Sequence, residues 1–168
     1  MFHGQQPGRS YFYVAALTMV TFLAVAGVFA QASHDDKAAV LAANTQFYAA
    51  INQMFTGNID PIKAVWSHSD DVTYMGPTGQ FEHGWSTVLK DWEGQAAMKL
   101  GGHVMPVDIQ VVIGHDLAVV SDYELGENTN ANGKIEHLKL RATNIFRNEG
   151  GQWKMIGHHT DPLPYLNK

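Results

Sequence analysis

The chain has 168 residues, 45% of them hydrophobic and 16% charged, with 11 Lys and Arg against 16 Asp and Glu, a formal charge of −5, and no cysteine. That length suits one domain with a short appendage and a core large enough to need no staples. The missing cysteines exclude disulfides, thiolate catalysis, cysteine-bound zinc and a lipidated cysteine anchor, while scattered charges with no basic stripe exclude nucleic acid as the expected partner and favour a small or uncharged one.

Residues 1–32 differ from the rest. Met1 to Ser10 carries one cation, Arg9, and no acid, the run from Tyr11 to Ala30 carries no charge, and small residues stand at Ala30 and Ala32. A basic start, an apolar middle and a small-residue exit make a secretory signal, with Val28-Phe29-Ala30 and Ala30-Gln31-Ala32 as cleavage sites. The apolar run also approaches the ~20 residues that span a bilayer, so an uncleaved anchor over residues 11–30 is the alternative. Both readings put the domain, residues 33–168, outside the cytoplasmic membrane: periplasmic or secreted, or anchored.

Ser33 is placed to cap the first helix of that domain, with Asp35 and Asp36 in its first turn, where negative charge meets unpaired amides. Val40, Asn44, Phe47, Tyr48, Ile51, Met54 and Phe55 then recur at helical spacing up to Gly57, one stripe that packs on a sheet. Asp60-Pro61 restarts a short helix carrying Ile62, Val65 and Trp66, with Asp60 as its cap. Val72 to Met75 and Gln80 to His83 read as two short strands around a Gly76-Pro77-Thr78-Gly79 turn. Trp85, Val88, Leu89, Trp92 and Ala96 return to the helical period, giving a third helix to about Leu100, in which Gly94 leaves room for a close neighbour.

After Gly102 the chain turns extended. His103 to Ile113 places Met105, Val107, Ile109, Val111 and Ile113 on one face, Leu117 to Glu127 forms the next strand, and Asn132-Gly133 closes a hairpin loop. Two further alternating runs, Ile135 to Arg147 and Gln152 to Thr160, are joined by a turn at Asn148-Glu149-Gly150-Gly151. The expected fold is α+β: three N-terminal helices on one face of a strongly curved, mainly antiparallel sheet of about six strands.

The motifs W-S-H-S-D-D-V-T-Y-M-G-P and R-A-T-N-I-F-R-x-x-G-G-Q-W-K-M-I-G-H-H-T-D, in this order of elements, resemble the SnoaL-like branch of the nuclear transport factor 2-like superfamily over roughly Asp36 to Pro164. Gly151, Trp153 and His159 carry its most specific part, G-x-W-x-x-x-x-x-H. The resemblance implies a cone with a deep pocket at its open end and a homodimer formed through the sheet. It does not imply one chemistry, because the superfamily includes isomerases, dehydratases, cyclases, epoxide hydrolases, adaptors and oligomerisation hubs. Ketosteroid isomerase members use a carboxylate base with a Tyr and a protonated Asp; Tyr74 and Asp108 are chemically suitable here, but no local pattern ties them to those roles. Where hub-type members line the pocket with arginines, the aligned positions here are Asn144 and Thr160, which argues against the same anion site.

His158 and His159, adjacent on a strand, point to opposite faces, so only one enters a pocket, where an imidazole could serve as general base. Asp161 shares a face with His159 and could orient its ring. Arg141 alternates with apolar neighbours and shares the polar row of its strand, whereas Asn144 falls in the apolar row. Trp66, Tyr74 and Trp92, on elements that close the mouth in the family, with Tyr123, Asn144 and Arg141, form the expected ligand-binding set; His159, His158 and Asp161 form the expected catalytic set. No nucleophile elbow, phosphate loop, dinucleotide fingerprint or zinc-binding H-E-x-x-H occurs, so neither metal nor cofactor is expected. Two readings stay open: an exported module that binds a small apolar molecule or dimerises, and a cofactor-independent isomerase, cyclase or hydrolase with a pocket histidine as base.

Overall fold

A computed structural model describes residues 35–130 and 132–162. The signal or anchor segment and the Ser33 cap lie outside the described residues. Helix α1 covers residues 35–54, α2 Asp60–Val65 and α3 Trp85–Met98; strands β1 Thr73–Met75, β2 Phe81–His83, β3 His103–Ile113, β4 Leu117–Thr129, β5 Ile135–Glu149 and β6 Gln152–Asp161 form one sheet in the order β2-β1-β6-β5-β4-β3. Strands β3 to β6 are an antiparallel meander, and β1 joins it parallel to β6, aligning Tyr74 with His158. This is the α+β architecture expected, with a mixed six-stranded sheet against helices.

The stripe on α1 is buried throughout: Val40, Asn44, Phe47, Tyr48, Ile51, Met54 and Phe55 all face the sheet-side core. Phe47 sits at its centre and meets Tyr48, Trp66 and Trp92 edge-on, with ring centroids 5.4, 6.4 and 6.3 Å away. Removing so enclosed a ring, as in Phe47→Ala, costs about 3–5 kcal/mol through lost transfer energy and the cavity left behind. Asn52 fastens α1 to the start of β3 by a two-way bond, donating to the Val104 carbonyl at 3.0 Å and accepting from the Val104 amide at 2.8 Å.

Where the sequence and the structure differ, the backbone explains it. Asp60 is the first residue of α2 and not its cap; Ile59 holds the cap position without a side-chain bond. Helix α3 stops at Met98 because Lys99 adopts φ 49°, and an added Cβ on Gly94 would meet nothing within 4 Å, so no close neighbour among the described residues uses its small size. The largest departure is in β3. Asp108 has φ 57°, and Asp108 with Ile109 opposes Asp122 alone, a bulge that swaps the two faces of the strand. Before it Val104 faces the core and Met105 faces out; after it Val111 and Ile113 pack on the core. The single apolar face read from Met105 to Ile113 is therefore split between the two sides.

A second bulge lies in β6. Ile145 pairs with Gly157 and Phe146 with Met155, leaving Ile156 unopposed. Outside the bulges the sheet alternates as read, with Leu138, Leu140, Ala142, Asn144 and Phe146 inward on β5. The β5–β6 turn uses Gly150 and Gly151 at φ 62° and 89°, a two-residue connection that residues with a Cβ rarely adopt. An ion-pair cluster holds this end: Arg147 donates to Asp71 at 2.6 Å, to Glu149 at 2.9 Å and to Ser69 at 2.8 Å. The hydrogen bonds from Arg147 and Ser69 lower the Asp71 carboxyl to about 2.

Candidate functional site

Strand alternation and one helix stripe bring five polar groups together inside the sheet. On β4, Ala118, Val120, Asp122 and Glu124 face inward, so two carboxylates two residues apart continue an apolar row. Facing them from α1 are Asn44 and Tyr48, one turn apart on the buried stripe; from β5 comes Asn144. The Tyr48 hydroxyl lies 2.8 Å from Asp122 Oδ1, 3.1 Å from Glu124 Oε1 and 3.3 Å from Asn144 Nδ2. A hydroxyl has one proton to give and two lone pairs to accept with. Asn144 donates to it, and its single proton is directed to the two carboxyl groups, nearer to Asp122 than to Glu124. Two carboxylates around one phenolic proton repel each other, which favours a proton on the more deeply buried Glu124.

Burial points the same way. Desolvation raises the Glu124 carboxyl to about 8, with Asp122 adding repulsion and the Tyr48 bond opposing, and raises Asp122 to about 6. Tyr48 is pushed far upward by burial and by the two acids, so its phenol stays neutral.

His158 completes the group. Its Nδ1 lies 2.6 Å from Asn144 Oδ1, and the Asn144 amide nitrogen donates to Asn44 Oδ1 at 2.8 Å, which fixes the amide's orientation. The oxygen can only accept, so His158 carries its proton on Nδ1 and presents Nε2 as a bare lone pair, 3.7 Å from Glu124 Oε1. That gap exceeds a hydrogen bond. Burial lowers the imidazole to about 3 and keeps it neutral.

Glu124 and His158 line a cavity of about 360 Å³, whose walls are otherwise mostly apolar: Ile51 and Met54 from α1, Phe55 just past its end, Trp92 from α3, Leu138 and Leu140 from β5. Tyr74 and Trp92 stack at 4.6 Å, and Tyr74 lies parallel to His158 at 5.7 Å, so the ring bearing Nε2 is held flat against an aromatic wall. Thr160 Oγ1 and Trp92 Nε1 belong to residues of the same wall and are buried without a hydrogen-bond partner among the described residues. Among those residues no three His, Asp or Glu side chains converge to hold a metal ion.

Of the residues expected to act, His158, Tyr74 and Trp92 line this cavity. Asn144 stands behind His158 as its partner, and Trp66 is buried in the core, away from the cavity lining. His159, Asp161, Arg141 and Tyr123 lie on the opposite side of the sheet, around a shallow groove with Asp108 and Gln110. There Arg141 pairs with Asp161 at 3.1 Å, and His159 Nε2 stands 3.9 Å from the same carboxylate. The Ile156 bulge causes this separation: continued from Trp153 and Met155, strict alternation would carry Gly157, His159 and Asp161 inward, whereas the extra residue turns His158 and Thr160 in. Sequence reasoning missed Tyr48, Asp122 and Glu124 as site residues. The usable signal was the pair of acids in register with Ala118 and Val120.

The SnoaL-like domain model matches residues 40–163, most of the chain and all of the site. The chain belongs to the SnoaL-like domain family. Solved structures share its fold: a protein assigned as a dehydratase of the NTF2-like family from Streptomyces avermitilis, 24% identical with a TM-score of 0.70, covers 78% of this chain and 98% of its own. A protein assigned as a calcium/calmodulin-dependent protein kinase type II association domain, from Thiobacillus denitrificans, is 25% identical, covering 73% and 93% with a TM-score of 0.59. An NTF2-like superfamily protein from Salmonella enterica is 13% identical, covering 77% and 99% with a TM-score of 0.62. No functionally curated protein matches this SnoaL-like chain in sequence.

Proposed function

We propose that this SnoaL-like domain is a cofactor-independent acid–base enzyme acting on a small, largely apolar molecule, with Glu124 as the group that gives and retakes the proton. The observation that carries the reading is a carboxyl buried at the wall of a mostly apolar cavity, beside a second buried acid, where desolvation keeps its proton on. A carboxyl that titrates near neutrality is matched to proton transfer at physiological pH, whereas His158, held neutral and weakly basic, suits accepting a hydrogen bond from the substrate better than removing a proton from carbon. Glu124 donates to a substrate oxygen, and the carboxylate left behind takes a proton from a neighbouring carbon. With the oxygen retained the result is enolisation and isomerisation; with the oxygen leaving as water it is dehydration. The dehydratase assignment of the Streptomyces avermitilis structure fits the second outcome.

Solvent deuterium tests this. Wild-type protein in deuterium oxide is expected to exchange carbon-bound hydrogen in small ketones, or to convert hydroxyketones to enones, as read by NMR, and Glu124→Gln to abolish the reaction. Unchanged rates in Glu124→Gln would overturn the reading.

Two further parts of the reading concern context. We infer export from the uncharged run of residues 11–30 and its small-residue exit; the amino terminus of protein recovered from outside the cytoplasm is expected at Gln31 or Ser33, and intact cytoplasmic protein would refute it. We also infer a homodimer through the sheet, because its outer face bares Met105, Val112 and Tyr123, of which Val112 is 70% exposed. Sedimentation is expected to give a dimer that Val112→Asp weakens; a monomer at all concentrations removes it.

A further inference from the structure

The cavity has a second polar cluster besides that of Glu124 and His158. Met98, 60% exposed, and the β1–β2 loop residues Thr78 and Gln80 mark its mouth. There Gln95 Nε2 donates both to the Tyr74 hydroxyl at 2.9 Å and to Asp91 Oδ2 at 2.7 Å, so the phenol and the carboxylate share one amide nitrogen. Since Tyr74 accepts that bond, its own proton is left without an acceptor among the described residues, and burial, which raises its pKa, keeps the proton on. Asp91 Oδ1 likewise has no hydrogen bond among them; its only other partner is Gln80 Nε2, on Oδ2 at 3.5 Å. The rim thus offers one donor and one acceptor side by side.

Charge narrows the choice of ligand. The residues lining the cavity include two acids, Asp91 and Glu124, and neither lysine nor arginine. A carboxylate or phosphate entering it would meet like charge with no cation to offset it. An ammonium could use Asp91 but would leave the Tyr74 proton unmatched. A hydroxyl satisfies both groups at once, donating to Asp91 and accepting from Tyr74.

We propose that Tyr74 and Asp91 form a hydroxyl-recognition subsite, so that the substrate is an uncharged, apolar-bodied molecule carrying a hydroxyl besides the group that meets Glu124. This rests on the acid–base reading of the same cavity, and its test is a binding test that does not depend on turnover. The probes are 4-butylcyclohexanol, its methyl ether and 4-butylcyclohexanecarboxylate, titrated into the full chain by calorimetry and by the change in tryptophan fluorescence, since Trp92 forms part of the wall.

The alcohol is expected to bind about five- to tenfold tighter than the ether, which cannot donate to Asp91, and about tenfold or more tighter than the carboxylate. Asp91→Ala and Tyr74→Phe, each with an unchanged melting temperature, are expected to erase the preference for alcohol over ether, and Asp91→Lys to admit the carboxylate. A carboxylate bound as tightly as the alcohol, an alcohol preference that survives both rim variants, or no binding of any probe at millimolar concentration would overturn the proposal. A failure here with deuterium exchange still lost in Glu124→Gln would leave the chemistry standing and remove only the subsite. Loss of exchange dependence on Glu124 with the alcohol preference intact would do the reverse.

Discussion

Replacing Glu124 with Gln isolates the proton that the site is built to hold. A Gln amide has the shape of a neutral carboxyl, and its oxygen can still accept from the Tyr48 hydroxyl, so the fold should tolerate it. In the wild type, the folded chain keeps the Glu124 proton up to about pH 8, whereas an unfolded glutamate releases it near 4.5. Between those values the native state binds more protons than the unfolded state, and stability falls as pH rises, by about 1.4 kcal/mol per pH unit for one proton.

Two neighbours complicate the lower part of that range. Asp122, raised from 3.8 to about 6, acts in the same direction, while His158, lowered from 6.5 to about 3, acts oppositely, losing stability as pH falls below 6.5. Both groups are present in wild type and Glu124→Gln alike and cancel when the two proteins are compared, which leaves Glu124 alone between about pH 6.5 and pH 8. Over that window the wild type should lose about 2 kcal/mol relative to Glu124→Gln. Urea unfolding of both proteins at the two ends of the window measures this as a difference of differences. Parallel losses in wild type and variant would mean that Glu124 is already ionised and that burial does not hold its proton.

Three other outcomes follow from the same geometry. Tyr48→Phe removes the hydroxyl that joins Asp122, Glu124 and Asn144 and leaves their buried groups unmet, at a cost of about 2–4 kcal/mol in chemical denaturation. Gly126→Ala would push a Cβ to 2.0 Å from the His103 carbonyl oxygen where β3 begins, so β3 must part from β4; a loss above about 3 kcal/mol, or insoluble protein, is expected in thermal melts. Arg147→Met, which strips Asp71 and Glu149 of their partner at a half-exposed site, should cost only about 1 kcal/mol, and less in high salt, by urea midpoints at two ionic strengths.

Much of the scaffold could be read from local pattern. The seven-residue stripe of α1 and the glycine pair between β5 and β6 each follow from backbone geometry acting over a few residues, and the structure places them as read. The site was less legible because its assembly depends on long-range register. Nothing near Tyr74 announces that it will lie beside His158; the parallel pairing of β1 with β6 brings them together. Nor does alternation alone say which of two adjacent histidines turns inward, because one unopposed residue, Ile156, reverses the count. The acids on β4 were readable in principle, since they continue the row of Ala118 and Val120. Their protonation was not, because it depends on burial beneath α1, some seventy residues earlier in the chain.

The irregularity at Asp108 has a bearing on solubility. Strand β3 forms one margin of the sheet, and an unbroken margin eleven residues long would offer a stranger's backbone a continuous line of hydrogen-bonding groups. The kink at Asp108 and Ile109 divides that line into two short, differently twisted halves, and Pro106 withholds an amide from the first of them. A margin so divided resists templated stacking, and straightening it by deleting Asp108 is where fibrils should first emerge.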